Sequence, residues 1–516
     1  MCGIFIQTIE KKDDVLQCMS SLNMLKGRGP ESSRFIVDNE KIFIGFRRLP
    51  IIDVSGGEQP FVNGNRVLVA NAEIFNHHEI EKTLNLNCQS KSDCECILRA
   101  IENGIKVQDI ARMLNGDFAF VIVDETTITV CRDRVGIRPL FYGFKNGQLA
   151  ISSEIKAFPD GFNVEHVQPS TVMTFDIVTK NFSCIKYYDV YFSDKLWFKI
   201  SPSPCIKTLL INSVKLRLES ERPVGCLLSG GLDSSIVALI LSQLIGPKNL
   251  RTYSIGMKGS IDLKYARIVA DFLGTQHSEI IFTPEEGIRA IPDVINALES
   301  YDITTVRASI PMYLLGKWIK QNTNDKVIFS GELSDELLCG YLYFHHSPSD
   351  EEAENESKRL VENVYKYDAL RADRCISSHG LELRVPFADV NVINYCMFIL
   401  TGKDKRPNKT IEKKLLRDAF NGELPNEILW RKKDGFSDGV SSLEKPWYTH
   451  IQDYIDTLNI PLSQNEVSKE AQYYKQIYNT YYSQINYNPI TEHWMPKWGI
   501  VDKTNPSGRI IKIESA

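Results

Sequence analysis

Short apolar and β-branched runs recur through the first 190 positions, at 41–46, 66–70, 118–123 and 127–130. Turn clusters separate them: Ser55-Gly56-Gly57, Asn63-Gly64-Asn65 and Asn146-Gly147. Runs of this length bounded by such residues predict β-strands. Helical stretches lie between them, such as 15–25 and 93–103, so the first half predicts layered sheets with helices outside. Around 188–205 the pattern lapses, ending in Ser201-Pro202-Ser203-Pro204, which predicts a linker. Beyond it, longer helical stretches alternate with short buried runs at 224–228, 250–255 and 326–329, the pattern of a mostly parallel α/β sheet. The expected division is 2–190, a linker at 191–205, and 206–516. The acidic stretch 349–356 is expected to be a solvated loop or helix face. There is no internal repeat or low-complexity tract.

Length and charge narrow the class. A chain of 516 residues exceeds one ordinary core and predicts two or three domains. A hydrophobic content of 43%, 24% charged residues and a net charge of −5 are ordinary for a soluble globular protein. The pI near 6.1 leaves no electrostatic footprint for nucleic acid. Met1 to Asp14 lacks the basic start of a signal peptide, and no apolar run approaches the ~20 residues that span a bilayer. A cytoplasmic protein without membrane or nucleic-acid partners is the expectation. Its twelve cysteines are scattered without a C-x-x-C pair, so neither a disulfide scaffold nor four-ligand zinc spacing is read.

Cys2 stands apart. Removal of Met1 would put a thiol and a free α-amine on one residue, and an α-amine of pKa about 7.7–8.0 can take the thiol's proton near neutrality. Alone, Cys2 is also compatible with a buried structural thiol. Its surroundings, Met1-Cys2-Gly3-Ile4, resemble the opening of the class II glutamine amidotransferases. So do Arg48-Leu49-Pro50-Ile51-Ile52-Asp53, Asn71-Ala72-Glu73-Ile74-Phe75-Asn76-His77, Ser92-Asp93-Cys94-Glu95, Asp133 to Leu140, and Ser152-Ser153-Glu154. The resemblance implies that Cys2 is the nucleophile and that Arg48 grips the glutamine α-carboxylate. It makes the Asn71 side chain and the Ala72 N–H the oxyanion donors. Glu73 and Asp93 would complete the glutamine site, with Asp93 accepting from the α-ammonium. Taken singly, Arg48 could be a surface ion pair, Asn71 a turn residue and Asp93 a helix N-cap.

In the second half a buried run enters Ser229-Gly230-Gly231-Leu232-Asp233-Ser234-Ser235, and a helix is expected over 236–245. Adjacent glycines, hydroxyls and a helix start make an anion site, and Asp233 within it calls for Mg²⁺. This loop is unlike G-x-x-x-x-G-K-[ST]. It resembles the loop of ATP pyrophosphatases, which cleave ATP between the α and β phosphates. Ser330-Gly331-Glu332-Leu333-Ser334-Asp335-Glu336, Tyr301 to Ser309, Gly380 to Phe387 and Trp430 to Gly439 resemble segments of asparagine synthetases.

That resemblance implies an αββα sandwich of the N-terminal-nucleophile type followed by a parallel-sheet ATP pyrophosphatase-like domain with extra helices. Leu227, Ser229, Gly230, Gly231, Asp233, Ser234, Ile255, Ser330 and Gly331 would bind ATP, and Asp233 and Asp335 would hold Mg²⁺. Thr304 and Arg307 would lie near the aspartyl and phosphate groups. Glu332 would be the base toward ammonia, and Lys433 would offset charge on pyrophosphate. Partners are L-glutamine, L-aspartate and ATP, with a homodimer among the expectations. A β-lactam-synthetase-like relative and a non-catalytic nucleotide- or glutamine-binding regulator are the alternatives. Four residues depart from the family pattern: Ala72, Leu333 and Cys339 stand for glycines and Ala388 for a leucine. If residue 72 needs a positive φ, Ala72 is strained by roughly 1–2 kcal/mol. Leu333 is expected to alter its turn or narrow the aspartate pocket.

Overall fold

A computed structural model describes residues 1–11, 13–191, 205–407, 411–464, 466–490, 492–499, 502 and 504–511. Most of the expected linker, 192–204, lies outside the described residues. The strands of the first half are β1 Gly3–Thr8, β2 Ser32–Asp38, β3 Ile42–Arg48, β4 Phe61–Asn63, β5 Arg66–Ile74, β6 Gly116–Val123, β7 Thr127–Arg132, β8 Phe141–Lys145, β9 Gln148–Ser152, β10 Asn163–His166, β11 Thr171–Asp176 and β12 Phe182–Lys186. They form two six-stranded sheets, ordered β10-β8-β9-β1-β3-β2 and β12-β11-β7-β6-β5-β4.

Side-chain parity explains the layers. Ile4 and Ile6 of β1, Ile44 and Phe46 of β3, Val67 and Val69 of β5, and Val121 and Val123 of β6 meet between the sheets in one core. The alternate residues face outward. Phe5 and Phe43 meet Cys18 and Leu22 of α1, Asp13–Met24. Leu68, Phe118 and Phe120 meet Ile97 of α3, Glu95–Glu102, and Ile110 of α4, Val107–Met113. A further helix, α2, spans His77–Leu84. Both faces of each sheet are thus covered, which is why β3 and most of β6 are buried along their length and read as continuous apolar runs. This is the expected αββα sandwich.

In the second half α5 Ile206–Leu216 precedes β13 Val224–Leu227, α6 Leu232–Ile245, β14 Arg251–Gly256, α7 Ile261–Leu273, β15 Gln276–Ile281, α8 Pro284–Leu298, α9 Ile303–Asn322, β16 Val327–Phe329 and β17 Glu382–Arg384. The five strands pair in parallel in the order β15-β14-β13-β16-β17. From β13 the chain runs outward through β14 and β15, then returns to place β16 and β17 on the other side. The loops after β13 and β16 therefore diverge at a topological switch point, where open α/β sheets open a crevice at their strands' carboxyl ends. Helix α6 is buried on nearly all sides and begins at Leu232 rather than 236.

The acidic stretch forms the start of α10, Asp350–Asn363, capped by Ser349, whose side chain accepts from the Glu352 N–H. It is not wholly solvated: Glu356 is buried and accepts from the Tyr343 hydroxyl at 2.7 Å. One more helix, α11 Asp368–Ser377, closes the domain seam. There Arg28 bonds Asp373 at 2.7 Å and Glu154 at 3.1 Å, and Arg374 pairs with Glu154 and Glu299. Removing one member of such a buried pair strands the other charge and typically costs about 3–5 kcal/mol. The seam thus specifies one docking of the two halves.

Candidate active site

The first site forms where β1 and β3, neighbours in one sheet, meet β5 of the other. Cys2 precedes β1, Arg48 ends β3 and Asn71 to Glu73 lie in β5. The Cys2 N–H donates to Asn71 Oδ1 at 2.8 Å, and its thiol lies 3.9 Å from the Leu49 carbonyl. Asn71 is buried, and its Nδ2 has no hydrogen-bond acceptor. A buried amide donor without a partner is costly unless something else supplies the acceptor. Arg48 is not a surface ion pair: it is buried, donates to the Asp53 carbonyl at 2.7 Å and to Glu58 at 3.2 Å, and so holds its fork in one orientation. Asp93 is not an N-cap: α3 starts after Cys94, and the Asp93 carboxylate accepts from the Ile74 N–H at 2.7 Å.

Ala72 sits in the extended backbone of β5, outside the left-handed region. The strain anticipated for an alanine there does not arise.

Met1 is present and buried. Its ammonium lies 3.5 Å from Glu382, and its sulfur accepts from Arg138 at 2.9 Å and Arg28 at 3.4 Å. Burial pushes the Cys2 thiol up from its ordinary value, partly countered by the nearby terminal ammonium. Glu73 points across the seam and accepts from Arg384 Nη2 at 2.8 Å. Burial and the adjacent Glu382 push its carboxyl well above the usual range. Glu382 itself is desolvated, yet Arg384, the terminal ammonium and Arg138 hold it down at about 2. The backbone carbonyl of that same Arg384 accepts from the Ser330 N–H at 3.0 Å.

The second site is a cavity of about 220 Å³ at the switch point, lined by Leu227, Ser229, Gly231, Asp233, Ser234, Ile255, Ser330 and Gly331. Gly230 adopts φ +70°, and a Cβ there would stand 2.3 Å from the Tyr265 backbone. It turns the loop from behind rather than lining the cavity. Gly331 lets the two loops touch, since a Cβ on it would lie 2.9 Å from Asp233.

Thr304, Glu332, Asp335 and Lys433 reach the same cavity, whereas Arg307 does not line it. The guanidinium of Arg307 donates to Glu470 at 2.8 and 2.6 Å and to Asn505 at 2.8 Å. The expected contact of Arg307 with aspartyl and phosphate groups is not what this conformation holds. Instead it clamps a helix, Lys469–Tyr482, against α9.

Lys413 and Arg371, two charged residues here, carry no local sequence signal. Lys413, buried and left-handed at φ +56°, bridges Asp233 at 2.6 Å and Asp335 at 2.5 Å. Lys433 also pairs with Asp335 at 2.5 Å. Burial would raise the Asp335 carboxyl, but the two ammonium groups outweigh it and hold it well below the usual range. Burial in turn raises Glu332 despite Arg371, which donates to it at 2.6 and 3.2 Å.

Leu333 takes φ +74° with its side chain 2% exposed, and Cys339 takes φ +52°. Both stand where glycine is at home, at a cost of roughly 1–2 kcal/mol each. Ala388 is buried in a short turn, Pro386–Ala388. Leu333→Gly would relieve its strain but delete a buried leucine, a loss of about 2–5 kcal/mol. The variant is expected to be net destabilised by about 1–3 kcal/mol in denaturant unfolding, and to shift the KM for aspartate more than that for glutamine. A more stable variant would show that strain outweighs packing; equal KM effects would detach Leu333 from the aspartate pocket.

Comparison with known proteins bears on both sites. The family model for the glutamine amidotransferase domain matches residues 1–188, and that for asparagine synthase matches 206–359 and 346–494. A probable asparagine synthetase [glutamine-hydrolyzing] of Acanthamoeba polyphaga mimivirus is 37% identical, over 99% of this chain and 100% of that one. The asparagine synthetases [glutamine-hydrolyzing] of Rattus norvegicus and Homo sapiens are each 39% identical, over 99% of this chain and 98% of theirs.

Proposed function

Because this chain belongs to the glutamine-hydrolysing asparagine synthetases, we propose how its residues divide the labour of glutamine-dependent, ATP-driven asparagine synthesis. The glutaminase unit is 2–190, the linker 191–205 and the synthetase unit 206–516. The convergence of Asp233, Glu332, Asp335 and Lys433 on one cavity at the sheet's switch point carries the synthetase reading.

In the first unit, loss of Met1 frees the Cys2 amine where Asn71 Oδ1 already accepts from its nitrogen. The thiol proton passes to that amine as sulfur attacks the glutamine carboxamide carbon. Asn71 Nδ2 and the Ala72 N–H receive the oxyanion, and the amine protonates the departing ammonia. Water then hydrolyses the thioester to glutamate. Arg48, Glu73 and Asp93 position glutamine, with Arg48 on the carboxylate and Asp93 on the ammonium.

In the second unit, the aspartate side-chain carboxylate attacks the α-phosphorus of ATP and pyrophosphate leaves, giving β-aspartyl-AMP. Leu227 and Ile255 flank the adenosine, with Ser330 and Gly331 beside it. Ser229, Gly231 and Ser234 offer N–H and hydroxyl groups to the phosphates, with Gly230 shaping the loop behind them. Glu332, its carboxyl raised by burial, takes a proton from ammonia as the nitrogen attacks the acyl carbon, and the bond from that carbon to the phosphate oxygen breaks to release AMP and leave asparagine. Thr304 borders the aspartate; Arg307 would reach it only by exchanging Glu470.

The acidic donors fit Mg²⁺. Asp233 and Asp335 converge on one point, which the Lys413 ammonium takes up here, and paired carboxylates are the ligands this ion prefers. When bound, Mg²⁺ supplies positive charge against the triphosphate. With two carboxylates already balanced by Lys413 and Lys433, a dication is best accommodated together with the anionic nucleotide. A cytoplasmic setting without nucleic-acid or membrane partners, and a homodimeric state, go with this reading.

The test is pyrophosphate release from ATP, with glutamine or ammonium as nitrogen source. Release must depend on aspartate and yield asparagine in equal amount. Release without aspartate would favour the β-lactam-synthetase-like alternative, and none at all a binding protein without turnover.

A further inference from the structure

Near the surface of the domain seam, four residues outside both reaction sites close a ring of imidazole and carboxylate groups. His77 and His78 open α2, Glu81 follows one turn on, and Glu219 comes from the segment after α5. His77 Nδ1 lies 3.2 Å from Glu81 Oε1, and its Nε2 lies 3.4 Å from Glu219 Oε1. His78 Nε2 lies 3.2 Å from the same Glu219 oxygen, and its Nδ1 lies 3.9 Å from Glu81 Oε2. The ring centroids are 3.9 Å apart. Single ligand atoms of His77, His78 and Glu81 all fall within 4.8 Å of one another.

We propose that this cluster is a binding site for one divalent transition-metal ion, contributed by both halves of the chain. A tetrahedral ion with metal–nitrogen bonds of about 2.0–2.1 Å keeps its ligands roughly 3.3 Å apart. The edge from His77 Nδ1 to Glu81 Oε1, 3.2 Å, has that length, and the ligand atoms of His77, His78 and Glu81 all lie within 4.8 Å of one another. One carboxylate ligates beside one nitrogen of each imidazole. The other accepts the remaining N–H of His77, the outer contact that commonly orients a metal-bound histidine. Two imidazoles select zinc, cobalt, nickel or copper over Mg²⁺ or Ca²⁺. Two carboxylates with two neutral rings carry a charge that a dication cancels. The His78 side chain is 73% exposed and that of Glu219 41%, so ion and water can enter from solvent.

Without metal, a proton is the resident cation. Burial disfavours charge on His77, but Glu219, Asp93 and Glu81 outweigh it and raise the ring to about 9. A metal bound there would displace that proton, since ligating imidazole is neutral. An ion bound there would staple Glu219 of the synthetase half to the helix that directly follows the Asn71–Asn76 segment of the glutaminase half.

The test is titration of the chelator-treated full chain with CoCl₂. One equivalent should bind, with visible d–d bands and no thiolate charge-transfer band. His78→Ala should abolish binding, and Glu219→Gln should weaken it about 10–100-fold. His78 is exposed, so the variant should keep the wild-type melting temperature and, with Mg²⁺ alone, wild-type asparagine synthesis. Failure here is therefore distinct from failure of the synthetase reading. A thiolate band, unaltered stoichiometry in His78→Ala, or no saturable binding would overturn the site.

Discussion

Cys2→Ala is expected to abolish glutamine hydrolysis, lowering kcat on the order of 10⁶-fold, the scale on which removing an attacking group acts. Glutamine-dependent asparagine formation should vanish with it. Synthesis from ammonium salts at raised pH should continue at near wild-type rate. Neutral ammonia can reach the adenylate from solution, and Asp233, Glu332 and Lys433 are untouched. A merely structural thiol would behave otherwise. Truncating it would lower stability modestly and move both activities together or neither. The comparison requires a folded variant, checked by melting, and wild-type protein whose mass shows that Met1 is gone. Residual hydrolysis by folded Cys2→Ala would remove Cys2 as nucleophile. Loss of the ammonia-dependent reaction as well would end the independence of the two sites.

Lys433→Ala should act on the other half alone. Its ammonium lies 2.5 Å from Asp335, where it would meet the charge on departing pyrophosphate. Losing one such donor costs about 2.7–4 kcal/mol of barrier, or about 10²–10³ in kcat. Asparagine formation should slow equally with glutamine and with ammonium, while glutaminase activity survives. The variant also leaves Asp335 with Lys413 as its remaining paired cation. Its carboxyl should therefore rise from its depressed value, and the acid limb of the synthesis pH profile should move toward neutrality. A merely structural lysine would lower stability without moving that limb. Unchanged synthesis would take Lys433 out of the site.

What the amino-acid order revealed depended on how local each feature is. Strands buried on both faces, such as β3 and β6, announce themselves as unbroken apolar runs. Arg48 and Asn71 were legible because their motifs are contiguous segments at the ends of strands that the fold must place together. The loop at 229–235 was legible for the same reason. Lys413 was not: its contact with Asp233 spans 180 positions, and nothing in Ile411-Glu412-Lys413-Lys414 distinguishes it from a surface lysine. The family resemblance implies a ligand role for Arg307, while its pairing with Glu470, 163 positions away, cannot be read from the helix that carries it. Whether Ala72 is strained depends on its backbone angles, which the sequence does not display. Leu333 was flagged from the family pattern, but its left-handed φ and buried side chain needed coordinates.

Arg384 touches both halves with different atoms: its guanidinium holds Glu73 and its carbonyl holds the Ser330 N–H. Such a residue limits how enzymes of this architecture can be recombined. A glutaminase unit borrowed from another amidotransferase would fold on its own core, yet would bring no carboxylate for Arg384 unless it matched residue 73. The buried guanidinium beside the nucleotide loop would then keep Glu382 but lose its partner across the seam. Domain exchange would thus be paid for in the synthetase, the half left unaltered, and natural shuffling should preserve residues 73 and 384 as a pair.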